Sequence, residues 1–171
     1  MNSLYAGNTR AVVERGVRVM MKHNTLVILS GFFEPVFYLL SMGFGLGALI
    51  GTVSFYGHDV PYGAYIAPAL MAVSAMNGAV YDSTMNVFFR MRYAKLYDQM
   101  LSTSLGPLDV ALGEIIMALI RGLLYAIGFM IITTILGLNL AWTAVLAIPA
   151  ALIVAFGFAS IGLAITSFMK R

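Results

Sequence analysis

The sequence contains no cysteine, which excludes a disulfide framework, a thiolate nucleophile and any cysteine metal site. Charge is scarce as well. Only 10% of the 171 residues are Asp, Glu, Lys or Arg, against about 25% in a soluble domain. No glycine-rich loop ends in Lys-Ser or Lys-Thr, so the chain is not a P-loop ATPase by itself. The two histidines, His23 and His58, fall on opposite sides of the predicted topology and read as interface residues rather than ligands. No Ser, His and Asp come close enough for a hydrolytic triad. What is abundant is apolar surface: 61% of residues are hydrophobic and mean hydropathy is +0.92. A soluble core of this size cannot hide so much, so the solvent is lipid. A pI near 9.3 does not argue for nucleic acid, because the basic residues flank apolar spans and form no single patch.

The pattern predicts an all-α membrane protein with four transmembrane helices, over residues 25–51, 62–87, 108–138 and 143–169. Each is long enough to cross a hydrocarbon core of about 30 Å. Glu34-Pro35 interrupts the first. Proline removes a backbone donor and predicts a kink. A carboxylate at the centre of a span costs about 2.5–3.5 kcal/mol, so it should face protein or a wet cavity. Gly43, Gly47 and Gly51 recur every four residues and permit close helix contact. In the second span, Ala72, Ala75 and Ala79 offer small packing surfaces. Ser74, Asn77, Asp82, Ser83, Thr84 and Asn86 make its far half polar. Asp82 stands about 30 Å from Tyr62 at 1.5 Å per residue, far enough for its carboxylate to reach the interface. The third span opens on Gly106-Pro107 with Asp109 in its first turn, a strong helix start. Glu114 and Arg121 share a face about 10 Å apart, too far for simple direct contact. Trp142 follows an uncharged turn as an interface anchor.

Residues 1–24 read as an interfacial amphipathic helix. Arg10, Glu14, Arg18 and Lys22 recur at four-residue steps beside Arg15, with Val12, Val13, Val17, Val19 and Met20 on the other face. A secretory signal fits poorly, because the polar lead is long and the apolar run behind it is too long. The segment from Phe88 to Asp109 is the longest polar interruption between apolar spans and holds Arg90, Arg92 and Lys95. Within it, residues 93–101 read as a short amphipathic helix parallel to the membrane. Lys95, Asp98, Gln99 and Ser102 lie on one side, Leu96, Tyr97, Met100 and Leu101 on the other. An external driver would dock there. The basic residues sit in the N-terminal segment, in this loop and at Lys170-Arg171, and none lies in the other two loops, which puts both termini in the cytoplasm. The charges Glu34, Glu114 and Arg121 inside spans admit two readings: a substrate or coupling role, or helix packing and snorkelling.

Four runs carry a family resemblance: Glu34-Pro-Val-Phe-Tyr-Leu-Leu-Ser-Met-Gly-Phe-Gly-Leu-Gly47, Tyr65-Ile-Ala-Pro-Ala-Leu-Met-Ala-Val-Ser-Ala-Met76, Phe88-Phe-Arg-Met91 and Leu108-Asp-Val-Ala-Leu-Gly-Glu-Ile115. In this order they resemble ABC-2 type exporter permeases, nearest to the nodulation-factor (lipo-oligosaccharide) and daunorubicin-type branches. The resemblance implies a coupling helix, carrying Tyr93, Lys95, Leu96, Tyr97, Asp98 and Leu101, seated in a separate ATP-binding subunit. ATP and Mg would be bound there and no cofactor by this chain. It further implies a homo- or heterodimer of permeases in the bacterial inner membrane, exporting an amphiphilic lipid-linked saccharide or drug taken partly from the lipid bilayer. Glu34 and Pro35 match the first-span motif, and Gly113 and Glu114 the start of the third span. Asp82 stands where relatives often carry an acid. Glu34, Pro35, Asp82, Glu114 and Arg121 are the candidates for a polar path through the spans. Family members usually have six spans, so four suggest a C-terminally incomplete chain or a shortened relative. The competing readings are a non-transporting membrane scaffold and a proton-coupled transporter using Glu34 or Glu114.

Overall fold

The computed structural model describes residues 4–23, 33, 35–139 and 142–169. Six helices and one hairpin make up the described fold. They are α1 (Thr9–His23), α2 (Pro35–Ile50), β1 (Thr52–Phe55), β2 (His58–Pro61), α3 (Tyr62–Arg92), α4 (Leu96–Leu101), α5 (Pro107–Ile135) and α6 (Trp142–Phe168). Among the described residues α3, α5 and α6 are long and apolar enough to cross a membrane, and α2 is a shorter apolar helix. The fold is that of a helical membrane protein. Residues 25–32 of the first expected span, 25–51, lie outside the described residues, as does Glu34; α2 covers most of the remainder.

Small side chains let the three long helices approach. Ala67, Ala75 and Ala79 of α3, Ala118 and Ala126 of α5, and Ala151, Ala155 and Ala159 of α6 are all buried in one core with Met71 and Phe129. Their four-residue spacing lines one face of each helix. Gly122 of α5 sits where all three meet. A Cβ there would stand 3.0 Å from the Ala75 carbonyl oxygen and 3.4 Å from the Ala155 Cβ.

Capping and turn chemistry set the ends. The Gly106 N–H donates to Asp109 Oδ2 at 2.9 Å, and Pro107 follows at the first helical position. Asp109 does more than cap. It also accepts from the Ala6 N–H at 2.8 Å, the Asn8 N–H at 3.0 Å and Thr9 Oγ1 at 3.1 Å. The N-terminal segment is thereby tied to the start of α5. Behind that tie, α1 buries Val12, Gly16 and Met20. A Cβ at Gly113 would collide with Val12, and one at Gly16 with Met117. The apolar stripe of α1 therefore packs on α5, where the sequence pattern suggests a helix lying on lipid.

Three local expectations change. The loop after α2, which holds no Lys or Arg, is an antiparallel hairpin, pairing Val53 with Val60 and Phe55 with His58. Its two-residue turn, Tyr56-Gly57, has φ of +50° and +79°, the sign that two-residue hairpin loops of this twist require. The second span does not end at Val87 but runs on to Arg92, crossing a π-helical turn at Asp82–Asn86. The loop helix is shorter than 93–101. It begins at Leu96, after a turn in which Lys95 takes φ +45°.

Gly122→Leu should cost about 1–3 kcal/mol by overpacking the three-helix contact. Gly157→Ala, with open space around the added methyl, should cost nothing. Thermal inactivation of the detergent-solubilised chain, followed by size-exclusion profile, measures both.

Candidate functional site

Two ion pairs cross between α3 and α5. The deeper joins Arg121 Nη2 to Asp82 Oδ1 at 3.3 Å, and both side chains are 1% exposed. Asp82 Oδ1 also accepts from Asn86 Nδ2 at 2.6 Å, across the π-helical turn. Thr166 of α6 closes the third side by donating to the Ser83 carbonyl at 3.2 Å. The second pair joins Arg90 Nη1 to Glu114 Oε2 at 2.5 Å, with Glu114 4% exposed. Glu114 and Arg121 thus meet different partners, both on α3.

The charges alternate. Along α3 the acid Asp82 precedes the base Arg90 by eight residues, and along antiparallel α5 the acid Glu114 precedes the base Arg121 by seven. At 1.5 Å per residue these spacings are about 12 and 10.5 Å, so the two rungs align. A slip of one rung would bring Asp82 to Glu114 or Arg90 to Arg121. Desolvating two charges consumes most of their attraction, so such pairs add little net stability, yet breaking one strands a buried charge. The ladder therefore acts on register more than on stability. The deeper rung is not saturated: Asp82 Oδ2 and Arg121 Nε and Nη1 have no hydrogen-bond partner.

The loop helix reaches the shallower rung. Met100 of α4 is buried with Val12 and Val110, and Leu96, Tyr97 and Leu101 pack against them. Three of the six residues expected at a docking surface thus face the chain's own bundle, because a six-residue helix cannot hold its place without burying its apolar side. Tyr93, Lys95 and Asp98 are exposed. The buried Tyr97 hydroxyl lies beside Glu114 and Arg90. Burial, and after it the Glu114 carboxylate, push this hydroxyl above the usual tyrosine range, so it remains a donor.

The remaining predicted residues are dispersed. Pro35 is buried in the first turn of α2. A cavity of about 740 Å³ lies at the hairpin end between α3, α5 and α6. Its lining includes Tyr65, Met71, Thr133 and Asn139 and none of the predicted charges. Among the described residues no three His, Asp or Glu side chains converge to hold a metal ion. Sequence reasoning misses Arg90, Asn86 and the tethering role of Asp109. The spacing of Arg90 from Asp82, two helical turns, is the signal available for the first.

Comparison with known proteins follows the same lines. The sequence profile described as ABC-2 type transporter matches residues 7–171. The chain is 33% identical to Nodulation protein J of Sinorhizobium fredii over 94% of this chain and 60% of that protein. It is 33% identical to Nodulation protein J of Rhizobium leguminosarum bv. viciae, with the same shares covered. It is 31% identical to the protein of that name from Bradyrhizobium diazoefficiens, over 95% of this chain and 60% of the relative. The chain thus spans about 60% of the length of the curated relatives it matches. No solved structure matches.

Arg121→Met alone should destabilise the fold by about 3–5 kcal/mol, since it leaves Asp82 charged and buried. Combining it with Asp82→Leu should recover most of that loss. Chemical or thermal unfolding in detergent, compared across the single and paired variants, measures the difference.

Proposed function

We propose a function from one premise: the chain belongs to the ABC-2 type transporter family. It is a multi-pass membrane protein. On our reading it is the permease subunit of an ATP-driven exporter in the bacterial inner membrane. A separate ATP-binding subunit would hold ATP and Mg, and a second permease copy, identical or homologous, would complete the assembly. An amphiphilic substrate, a lipid-linked saccharide or a drug, would pass between the permeases.

The observation that carries this reading is the two-faced loop helix. Its inner face is anchored on α1 and α5 through Met100, its outer side offers exposed Asp98, and the turn before it adds exposed Tyr93 and Lys95. That mixture of an aromatic, a cation and an anion, held on a short helix and the turn before it, suits a protein groove better than a lipid surface. A groove of about 360 Å³ between α1 and α4, lined by Arg15, Gln99 and Thr103 among others, adjoins it. The basic residues of α1 and of the α3–α4 turn collect at this end. Arg92 donates to the Met169 carbonyl at 2.7 Å, which brings the end of α6 to the same side. This distribution supports a cytoplasmic placement of α1, α4 and the end of α6.

Co-purification with the ATP-binding subunit encoded alongside tests the reading. Lys95→Glu and Asp98→Lys should each weaken capture roughly tenfold, equivalent to about 1.4 kcal/mol, without loss of membrane insertion. Asp59→Lys, on the hairpin at the far end, should change nothing. Equal capture by all three would count against docking at α4, and a well-folded chain that captures no ATPase would favour the scaffold reading.

A further inference from the structure

The cavity of about 740 Å³ at the hairpin end belongs neither to the charge ladder nor to the loop helix. Its size is that of a small-molecule site. Its walls are small apolar side chains, Ala64 and Ala67 of α3 and Ala144 and Ala147 of α6, beneath Phe55 of the hairpin. Tyr65 and Pro68 of α3 and Thr143 of α6 also line it and are exposed. Pro68 stands six residues into α3, about 9 Å below Tyr62 at 1.5 Å per residue. The mouth between α3 and α6 therefore opens sideways, at the level of lipid. An apolar cavity stays dry and takes apolar ligands, so a hydrocarbon chain is its natural filling.

The polar groups on the wall decide what that chain must carry. None of the described lining residues is charged. A phosphate or ammonium drawn in would lose its hydration without finding a partner. The two polar lining side chains that are not exposed have committed their donors. The Thr133 hydroxyl donates to the Met130 carbonyl at 2.9 Å, and Asn139 Nδ2 donates to Thr134 Oγ1 at 2.6 Å. The Asn139 amide oxygen is left to accept. Pro68 supplies a second acceptor. It has no N–H, so the Ala64 carbonyl one turn back lacks its helical donor. Ala64 and Pro68 both line the cavity, which puts that carbonyl on its wall. Both acceptors sit at the hairpin end, with Met71 and Ala147 deeper along the helices.

We propose that this cavity binds a neutral amphiphile: an alkyl chain capped by hydroxyl or amide donors, as in an alkyl glycoside. The chain lies between α3 and α6, and the donors meet the Ala64 carbonyl and the Asn139 amide oxygen. The site is built within one permease. It needs neither an ATP-binding subunit nor a second copy, so it stands or falls apart from the docking reading.

The chain carries its own reporter. Trp142 is its single tryptophan and directly precedes Thr143 on the cavity wall. The chain is placed in nanodiscs of phosphatidylcholine, whose head has no hydrogen-bond donor. A maltoside with a brominated alkyl chain is added, and quenching of Trp142 fluorescence is followed. Quenching should saturate with maltoside content, above a linear contribution from chains in the surrounding bilayer. Phosphatidylcholine brominated in its chains should give the linear contribution alone. Ala144→Phe fills the cavity and should remove the saturable part. Pro68→Ala fills nothing and returns an N–H to the Ala64 carbonyl. It should weaken saturable binding about fivefold, the worth of one hydrogen bond, and it tests the same claim if Ala144→Phe does not fold. Purely linear quenching by the maltoside would overturn the proposal, as would saturable quenching that Pro68→Ala leaves intact. Equal saturation by brominated phosphatidylcholine would overturn it too, since hydrocarbon alone would then be recognised.

Discussion

The alternating acid–base ladder between α3 and α5 is the constraint on which the remaining structure depends. In lipid there is no hydrophobic force to bring one apolar helix against another, so packing and polar contacts must do it. Alanine and glycine faces allow α3, α5 and α6 to approach, but a repeat of small residues every four positions fits almost as well one turn out of step. The charges remove that ambiguity. Asp82 with Arg121 and Glu114 with Arg90 coincide in one register; a slip of one turn parts both pairs, and a slip of two brings like charges together in a low-dielectric interior.

The ladder also joins the deep core to the loop. Its shallow rung lies where α3, α4 and α5 meet, under a helix too short to persist unaided. Its deep rung sits at a π-helical turn and is braced from α6 by Thr166. Such turns recur at functional positions because they loosen the regular backbone ladder locally. At the loop end Asp109 gathers Ala6, Asn8, Thr9 and Gly106 into one cluster of bonds. The N-terminal helix, the loop helix and the start of α5 therefore share a base, and whatever docks on α4 meets three elements fixed to one another.

Much of this is legible in the sequence, and the gaps have physical causes. Scarce charge and long apolar runs suffice for a helical membrane fold. The two faces of α4 are readable from residue spacing, and the same spacing keeps Glu114 from Arg121. Arg90 is harder to see, because a cation after Phe88-Phe89 reads as loop charge until the helix is known to run on to Arg92. The π-helical turn leaves no mark in hydrophobic periodicity. The hairpin hides because its ten residues look like any short loop, although Tyr56-Gly57 between Val53, Phe55 and Val60 is a turn signal. Asp109 is readable as a cap, but its bonds to residues about a hundred positions earlier are tertiary and invisible to local pattern.

Exchange of the shallow rung tests the account most directly. Arg90→Glu and Glu114→Arg would be made singly and together, and the monodisperse fraction in mild detergent compared. The ladder predicts that each reversal alone loses folded protein and that the exchange regains most of it, because opposite charges again meet across α3 and α5. Single reversals without effect, or an exchange no better than the worse single, would contradict it.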